Sequence, residues 1–550
     1  MKISSNELYI SRRSPVLSTG GLVASSQPLA TAAGVEQLAL GGTAADAAIA
    51  AAAALAVTQP CSTGLGGDAF CLYYEAATGK VHALNGSGRS PAALDLERAR
   101  RAAGGAARLP LLHPYAVTVP GGVAAWIDVT RRFGRRPLAQ LLAPAAEMAE
   151  RGFPVAPQTA LWWKAGAAKQ LAGRRHGGEL LRDGRPPEAG EIMRLPAMAR
   201  SLRAIAEGGR DAFYRGRIAE AIVAAVAEEG GVLALDDLAR HESDWVEPIS
   251  LDYRGTRVWE CPPNGHGLAA LVALNVARHL DLAAAPAGSA ARLHLLVESM
   301  RLAFAETAWH VADPAFYRAP VGELLSDAFG RERARLVDPR RSALSVSRAP
   351  LASAAAGGDT VYLCAVDAEG NACSFINSTF TGFGTGIVAG GCGFALQNRG
   401  AGFSLDPRHP NRLEPRKRPY HTIIPAMATR DGSLVAALGV MGGMMQPQGH
   451  VQVVSALFDD DLDPQAALDR PRFQILEGEP DGTVMIEDPP GFGLAAGLAA
   501  LGHRVSVPAP IDRYVFGLGQ IILRTLDSSG RTVWWAGSDP RGDGCALAAR

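Results

Sequence analysis

The stretch from Ala44 to Val57 is almost entirely alanine, with Asp46 as its one charge. Alanine is the best helix former, and a helix that is apolar all round has no face to offer water. The stretch is shorter than the roughly 20 residues a membrane span needs, so it reads as a helix enclosed by the rest of the fold. Thr43 or Asp46 can satisfy its first free N–H groups. A core that surrounds such a thin element must be packed closely from small residues, and the composition agrees: 48% hydrophobic, 6% aromatic, and 62 Gly.

Charge narrows the function classes. The chain carries 54 Lys plus Arg against 54 Asp plus Glu, which leaves no electrostatic footprint for nucleic acid or an anionic membrane. Its 7 Cys are scattered, without a C-x-x-C pair or an H-E-x-x-H motif, so reduced thiols, no metal and no cofactor are expected. No apolar stretch follows Met1-Lys2-Ile3-Ser4, and the expected location is cytoplasmic.

Along the chain, Cys61-Ser62-Thr63-Gly64-Leu65-Gly66-Gly67-Asp68 forms a glycine loop ahead of a strand from Ala69 to Tyr74, which Thr78-Gly79-Lys80 turns toward Val81 to Leu84. From about 135 to 310 helical patterns dominate, as in 138–151, 197–208, 217–229 and 293–309. Residues 348–358 have linker composition and should be exposed and mobile. Beyond them, Thr360 to Val366 and Ala372 to Ile376 flank a hairpin loop, and further strand-like runs at 434–440 and 520–524 alternate with helix, as α and β layers would. A Thr opening a strand is by itself an ordinary β-branched residue.

In chain order stand Gly41-Gly42-Thr43-Ala44-Ala45-Asp46, Gly64-Leu65-Gly66-Gly67-Asp68, Val119-Pro120-Gly121-Gly122, Pro262-Pro263-Asn264-Gly265-His266-Gly267, Phe383-Gly384-Thr385-Gly386, Lys417-Arg418-Pro419 and Met441-Gly442-Gly443. With these motifs the chain resembles the γ-glutamyltransferase family of N-terminal nucleophile hydrolases, from about residue 20 to the C-terminus. The resemblance implies a four-layer αββα sandwich made as an inactive precursor. It implies that Thr360 cuts the Asp359–Thr360 bond, giving subunits 1–359 and 360–550 that share one intertwined core. It leaves open a homo-oligomer of that two-chain unit.

The freed Thr would carry hydroxyl and α-amine together, with a reference amine pKa of about 7.7–8.0, so the base arrives with the nucleophile. By the same resemblance Gly442 and Gly443 form the oxyanion hole, Ser378 orients Thr360, and Arg89 holds the substrate carboxylate. His294, Glu298 and His310 read as packing residues, and Cys364 and Cys373 as buried, inert thiols.

The departures from the family pattern cluster where the amino-acid end of a γ-glutamyl group would bind. Gly402 stands where an acidic partner for the α-amine precedes a Phe-Ser pair, Phe380 replaces an Asn, Arg399 a Gln, and His421-Thr422 a Ser-Ser pair. The segment from Phe403 to Arg418 is short, which implies an open site without a lid. An α-amine buried without an acceptor is costly, so Arg89, Arg399, His421 and Thr422 point to a small carboxylate-bearing amide of the oxamate kind. A γ-glutamyl amide and a cephalosporin-type side chain are the alternatives, as is an unprocessed protein with a binding role.

Overall fold

The computed structural model describes residues 13–343 and 359–549; the proposed linker at 348–358 lies outside them. Helix α1 (Pro28–Ala39) leads into α2 (Ala44–Thr58), whose start is locked by a capping box: Thr43 Oγ1 accepts the Asp46 N–H, and Asp46 Oδ2 accepts the Thr43 N–H at 2.8 Å. Every residue of α2 is buried. Alanine makes this arrangement possible, because α1 and α2 approach so closely that a Cβ on Gly34 would lie 3.4 Å from the Ala51 Cβ and 2.9 Å from the Ala47 carbonyl oxygen. Ala51→Leu is therefore expected to destabilise the fold by about 1–3 kcal/mol through overpacking, read as a lowered melting temperature.

Two seven-stranded antiparallel sheets form the centre. Their strands are β1 (Val16–Ser18), β2 (Leu22–Ser25), β3 (Asp68–Glu75), β4 (Lys80–Gly86), β5 (Asp244–Val246), β6 (Ile249–Tyr253), β7 (Thr256–Glu260), β8 (Asp359–Val366), β9 (Ala372–Phe380), β10 (Ala426–Arg430), β11 (Ser433–Met441), β12 (Leu518–Leu526), β13 (Thr532–Ser538) and β14 (Cys545–Ala548). The first sheet runs β1-β13-β12-β11-β10-β7-β6 and the second β14-β2-β8-β9-β3-β4-β5. Helices α1, α2 and α3 (Leu138–Arg151) lie on the side of the second sheet. Helices α4 (Gly267–Ala277), α5 (Ala290–Thr307) and α6 (Met445–Phe458) lie on the side of the first. Helix, sheet, sheet and helix layers result, as expected.

The region from 135 to 310 is less uniformly helical than its pattern suggests: residues 244–260 supply β5, β6 and β7. These strands are short, sit at the sheet margins and carry exposed charges such as Asp252 and Arg257. They therefore lack the continuous apolar run that marks the central strands.

Two contacts set how β8 and β11 face each other. The Tyr362 ring lies against Gly439, where a Cβ would come within 2.5 Å of it. At the far end Tyr74 donates to the Gly432 carbonyl at 2.9 Å, and Tyr74 is level with Ala372 and Val366 across the strands. The end of β11 therefore lies toward Thr360, and Gly442 and Gly443 follow it directly.

Candidate active site

Thr360 is the second residue of β8 and 1% exposed. The pairing of β8 with β9 shifts register between Asp359 and Val361, so Thr360 stands at an irregularity, the local device that re-aims a side chain at a strand end. Its hydroxyl donates to Ser378 Oγ at 3.0 Å. Ser378 Oγ also accepts the Phe380 N–H at 2.8 Å and Arg399 Nη2 at 3.3 Å, while Arg399 Nη1 donates to Thr422 Oγ1 at 2.7 Å. One connected group thus joins Thr360, Ser378, Arg399 and Thr422, all from the stretch between residues 360 and 422.

Phe380 has φ 81°, a left-handed conformation rarely adopted by an aromatic residue. Its ring lies under the Arg399 guanidinium, with Cζ 4.1 Å from the ring centroid. Arg399 is fully buried, and burial lowers its proton affinity to a pKa of about 9, with Asp68 as the opposing charge that sustains it. Its Nε–H has no hydrogen-bond partner among the described residues.

Asp68, the last residue of the glycine loop, is a residue of this site that sequence reasoning missed. It pairs in register with Ser378, and its carboxylate is fully buried. Oδ1 accepts the N–H groups of Gly88 at 3.1 Å and Gly121 at 3.0 Å and Gln397 Nε2 at 2.9 Å. The remaining oxygen faces His421 Nε2 at 3.0 Å. Burial raises the Asp68 pKa to about 6 against the pull of Gln397, Arg399 and the two amides. The glycines of its own loop are needed for close approach: a Cβ on Gly67 would stand 2.4 Å from the Ser378 carbonyl oxygen. A carboxyl closing a glycine motif was the available signal.

The remaining expected residues fall into two groups. Gly442 and Gly443, with φ 139° and 60°, make the turn from β11 into α6. A non-glycine residue would be strained there. Arg89 follows Gly88 in the loop tied to Asp68, but its Nη2 lies 3.4 Å from Asp244 Oδ2, a carboxylate also held by Arg418, and its side chain is 32% exposed.

His421 is placed differently from the expected substrate contact: its ring is buried and committed to Asp68. The Ile423 N–H donates to Nδ1 at 3.4 Å, so the ring proton sits on Nε2 and points to Asp68. Burial, then Arg399 and Arg418, hold this imidazole neutral. Gly402 lies beside the short segment 403–418, which folds back on itself through Ser404 N–H to Asn411 O and Leu413 N–H to Ser404 O, both at 3.0 Å.

Two other features stand apart from Thr360. A cavity of about 760 Å³ lined by Lys80, His82, Arg132, Trp245, Arg257 and Trp259 opens at the opposite end of the strands. His294 and Glu298 of α5 meet His503, and the three offer buried nitrogen and oxygen ligand atoms within 4.8 Å of one another. There His294 Nδ1 lies 2.7 Å from His503 Nε2, and Glu298 faces Arg301 Nε at 3.4 Å and accepts the Ala343 N–H at 3.0 Å. These are the spacings of a hydrogen-bonded polar core. His310 pairs with Tyr317 instead, at 2.7 Å.

A four-layer sandwich with a hydroxyl residue opening a central strand is the architecture of the N-terminal nucleophile hydrolases, a class of enzymes. Residues 30–549 match the family described as gamma-glutamyltranspeptidase, and the chain belongs to that family. The glutathione hydrolase-like YwrD proenzyme of Bacillus subtilis is 36% identical over 97% of this chain and 99% of its own length. The oxamate amidohydrolase proenzyme of Klebsiella pneumoniae is 34% identical, covering 96% and 98%. Among solved structures, the cephalosporin acylase from Bacillus halodurans superposes with a TM-score of 0.88 at 41% identity, over 100% of this chain and 99% of that one. Among the described residues no helix is long and apolar enough to cross a membrane.

Proposed function

We propose that this chain is a self-cleaving threonine amidohydrolase acting on the amide of a small carboxylate-bearing acid, with oxamate as the model substrate. The observation that carries the reading is the Thr360 hydroxyl, bonded to Ser378 and one hydroxyl away from a buried guanidinium. Cleavage begins when Thr360 Oγ attacks the Asp359 carbonyl carbon. The peptide C–N bond breaks to leave an ester, and water then releases the Asp359 carboxylate and a free Thr360 amine. Subunits 1–359 and 360–550 result, a reading supported by relatives that are named proenzymes.

In turnover the freed amine takes the Oγ proton as the oxygen attacks the substrate amide. The oxyanion is stabilised by the Gly442 and Gly443 N–H groups, an interaction whose loss typically costs about 2.7–4 kcal/mol. Ammonia leaves with the proton, and water cleaves the acyl ester to release the diacid. Arg399, with its unspent Nε–H, and Arg89 supply the cationic side for the carboxylate, with Thr422 beside them. His421 belongs to the framework that holds this side. No acidic group stands at position 402 for an α-amine, which favours oxamate-like acids over γ-glutamyl compounds.

The test is the denatured mass of the purified protein with the N-terminal residue of each fragment, followed by turnover of oxamate against a γ-glutamyl anilide. Chains beginning at Met1 and Thr360, with oxamate turned over faster, are expected. A chain that stays whole on long incubation returns the weight to a binding role. Preference for the anilide, or for a cephalosporin side chain, replaces the substrate class.

A further inference from the structure

We propose that Asp68 is a positioning residue for this reaction: its carboxylate is the joint that fixes Ser378, Arg399 and the loop bearing Arg89 in one geometry around Thr360. This deepens the function proposed above and rests on it.

The geometry converges on one side chain. Asp68 is level with Ser378 across β3 and β9, so its backbone and the nucleophile's partner share a sheet. From there its carboxylate reaches three other segments: the loop before Arg89 through Gly88, the loop before Trp126 through Gly121, and the segment leading to Arg399 through Gln397. His421, next to Thr422, completes the set. The two loops cross so tightly that a Cβ on Gly88 would stand 1.6 Å from the Val119 carbonyl oxygen, and one on Gly121 would lie 1.9 Å from that of Gly86. Glycine at both positions allows their amides to reach Oδ1 together.

All four donors are neutral, so the carboxylate keeps its charge within a cage of hydrogen bonds. Arg399, which makes no ion pair among the described residues, has Asp68 as its opposing charge. Asp68 therefore contributes both hydrogen-bond acceptors and the negative potential that keeps a buried guanidinium charged beside Ser378.

This dual role has a signature in pH. The groups facing Asp68 are Arg399, His421 and Tyr214, besides Gln397 and the two glycine amides. Near pH 6 Arg399 and Tyr214 keep their protons and His421, held well below its ordinary value by burial, is neutral, which leaves Asp68, at about 6, as the member of the set that changes charge there. As pH falls through that value Asp68 gains a proton, loses an acceptor site and ceases to oppose Arg399. The Thr360 amine, with a reference pKa of about 7.7–8.0, must also lose its proton to act, so the acid side of log(kcat/KM) should steepen from slope one to slope two below about 6.

The experiment is the pH profile of kcat/KM for oxamate in the mature wild type, Asp68→Asn and His421→Gln, with thermal melts of each. Asp68→Asn should lower kcat/KM at pH 8 by on the order of tenfold or more and reduce the acid limb to slope one. His421→Gln keeps an N–H donor and the Asp68 charge but takes away the titratable ring, and should retain slope two. The proposal is overturned by a wild-type limb of slope one, which needs no variant to fold. It is equally overturned by a folded Asp68→Asn enzyme whose limb still has slope two. A wild-type chain that never cuts, or that cuts and turns over no carboxylate amide, instead removes the functional reading, a result distinct from either.

Discussion

Thr360→Ala is expected to leave one uncut 550-residue chain with no measurable turnover, a loss on the order of 10⁴-fold or more. The substitution removes the nucleophilic oxygen, which the proposed chemistry uses twice, first on the Asp359 carbonyl and then on the substrate. The structure gives little reason for the fold to suffer. The hydroxyl donates to Ser378, which still receives the Phe380 N–H and Arg399. A melting temperature close to wild type, together with an intact mass, separates loss of chemistry from loss of structure. Thr360→Ser, which keeps the oxygen, should still cut. Correct processing of the Ala variant would remove Thr360 from the nucleophile's place.

Arg399→Met should lower kcat/KM for oxamate by about 3 kcal/mol, on the order of a hundredfold, with most of the change in KM. Methionine fills much of the same apolar space over Phe380, but it takes one donor each from Thr422 and Ser378 and the opposing charge from Asp68. Self-cleavage uses no substrate carboxylate, so processing should be slowed far less than turnover. Steady-state kinetics on the mature variant beside a time course of cutting in fresh precursor reads both. If turnover and KM stay at wild-type values, the carboxylate does not bind at Arg399.

The layered fold was legible because its central elements are locally unambiguous. The alanine run of α2 and the apolar strands β3, β8, β9 and β11 each announce their type without help from the rest of the chain. The marginal strands of residues 244–260 were hidden because pairing at a sheet edge, rather than their own composition, makes them strands. Motif order brought forward Thr360, Ser378, Gly442 and Gly443, and the substitution pattern drew attention to Arg399 and Thr422. What it could not reveal was who holds whom. His421 read as a ligand for substrate because, with Thr422, it stands where the family has a Ser-Ser pair, whereas its ring is spent on Asp68. Asp68 itself passed as the end of a glycine loop, since nothing local to it foretells that Gly121 and Gln397 will fold onto its carboxylate.

The order of strands in the second sheet has a practical meaning for the mature enzyme. Strand β2, from before residue 360, is held between β8 and β14, both from after it, while in the first sheet β1 and β7 flank a block of four later strands. Neither product of a cut at Thr360 could close a sheet alone. Mixing mature protein from two variants should therefore give no hybrids by exchange in the folded state, and complementation between a defect on each side of the cut would require synthesis or refolding of both pieces together.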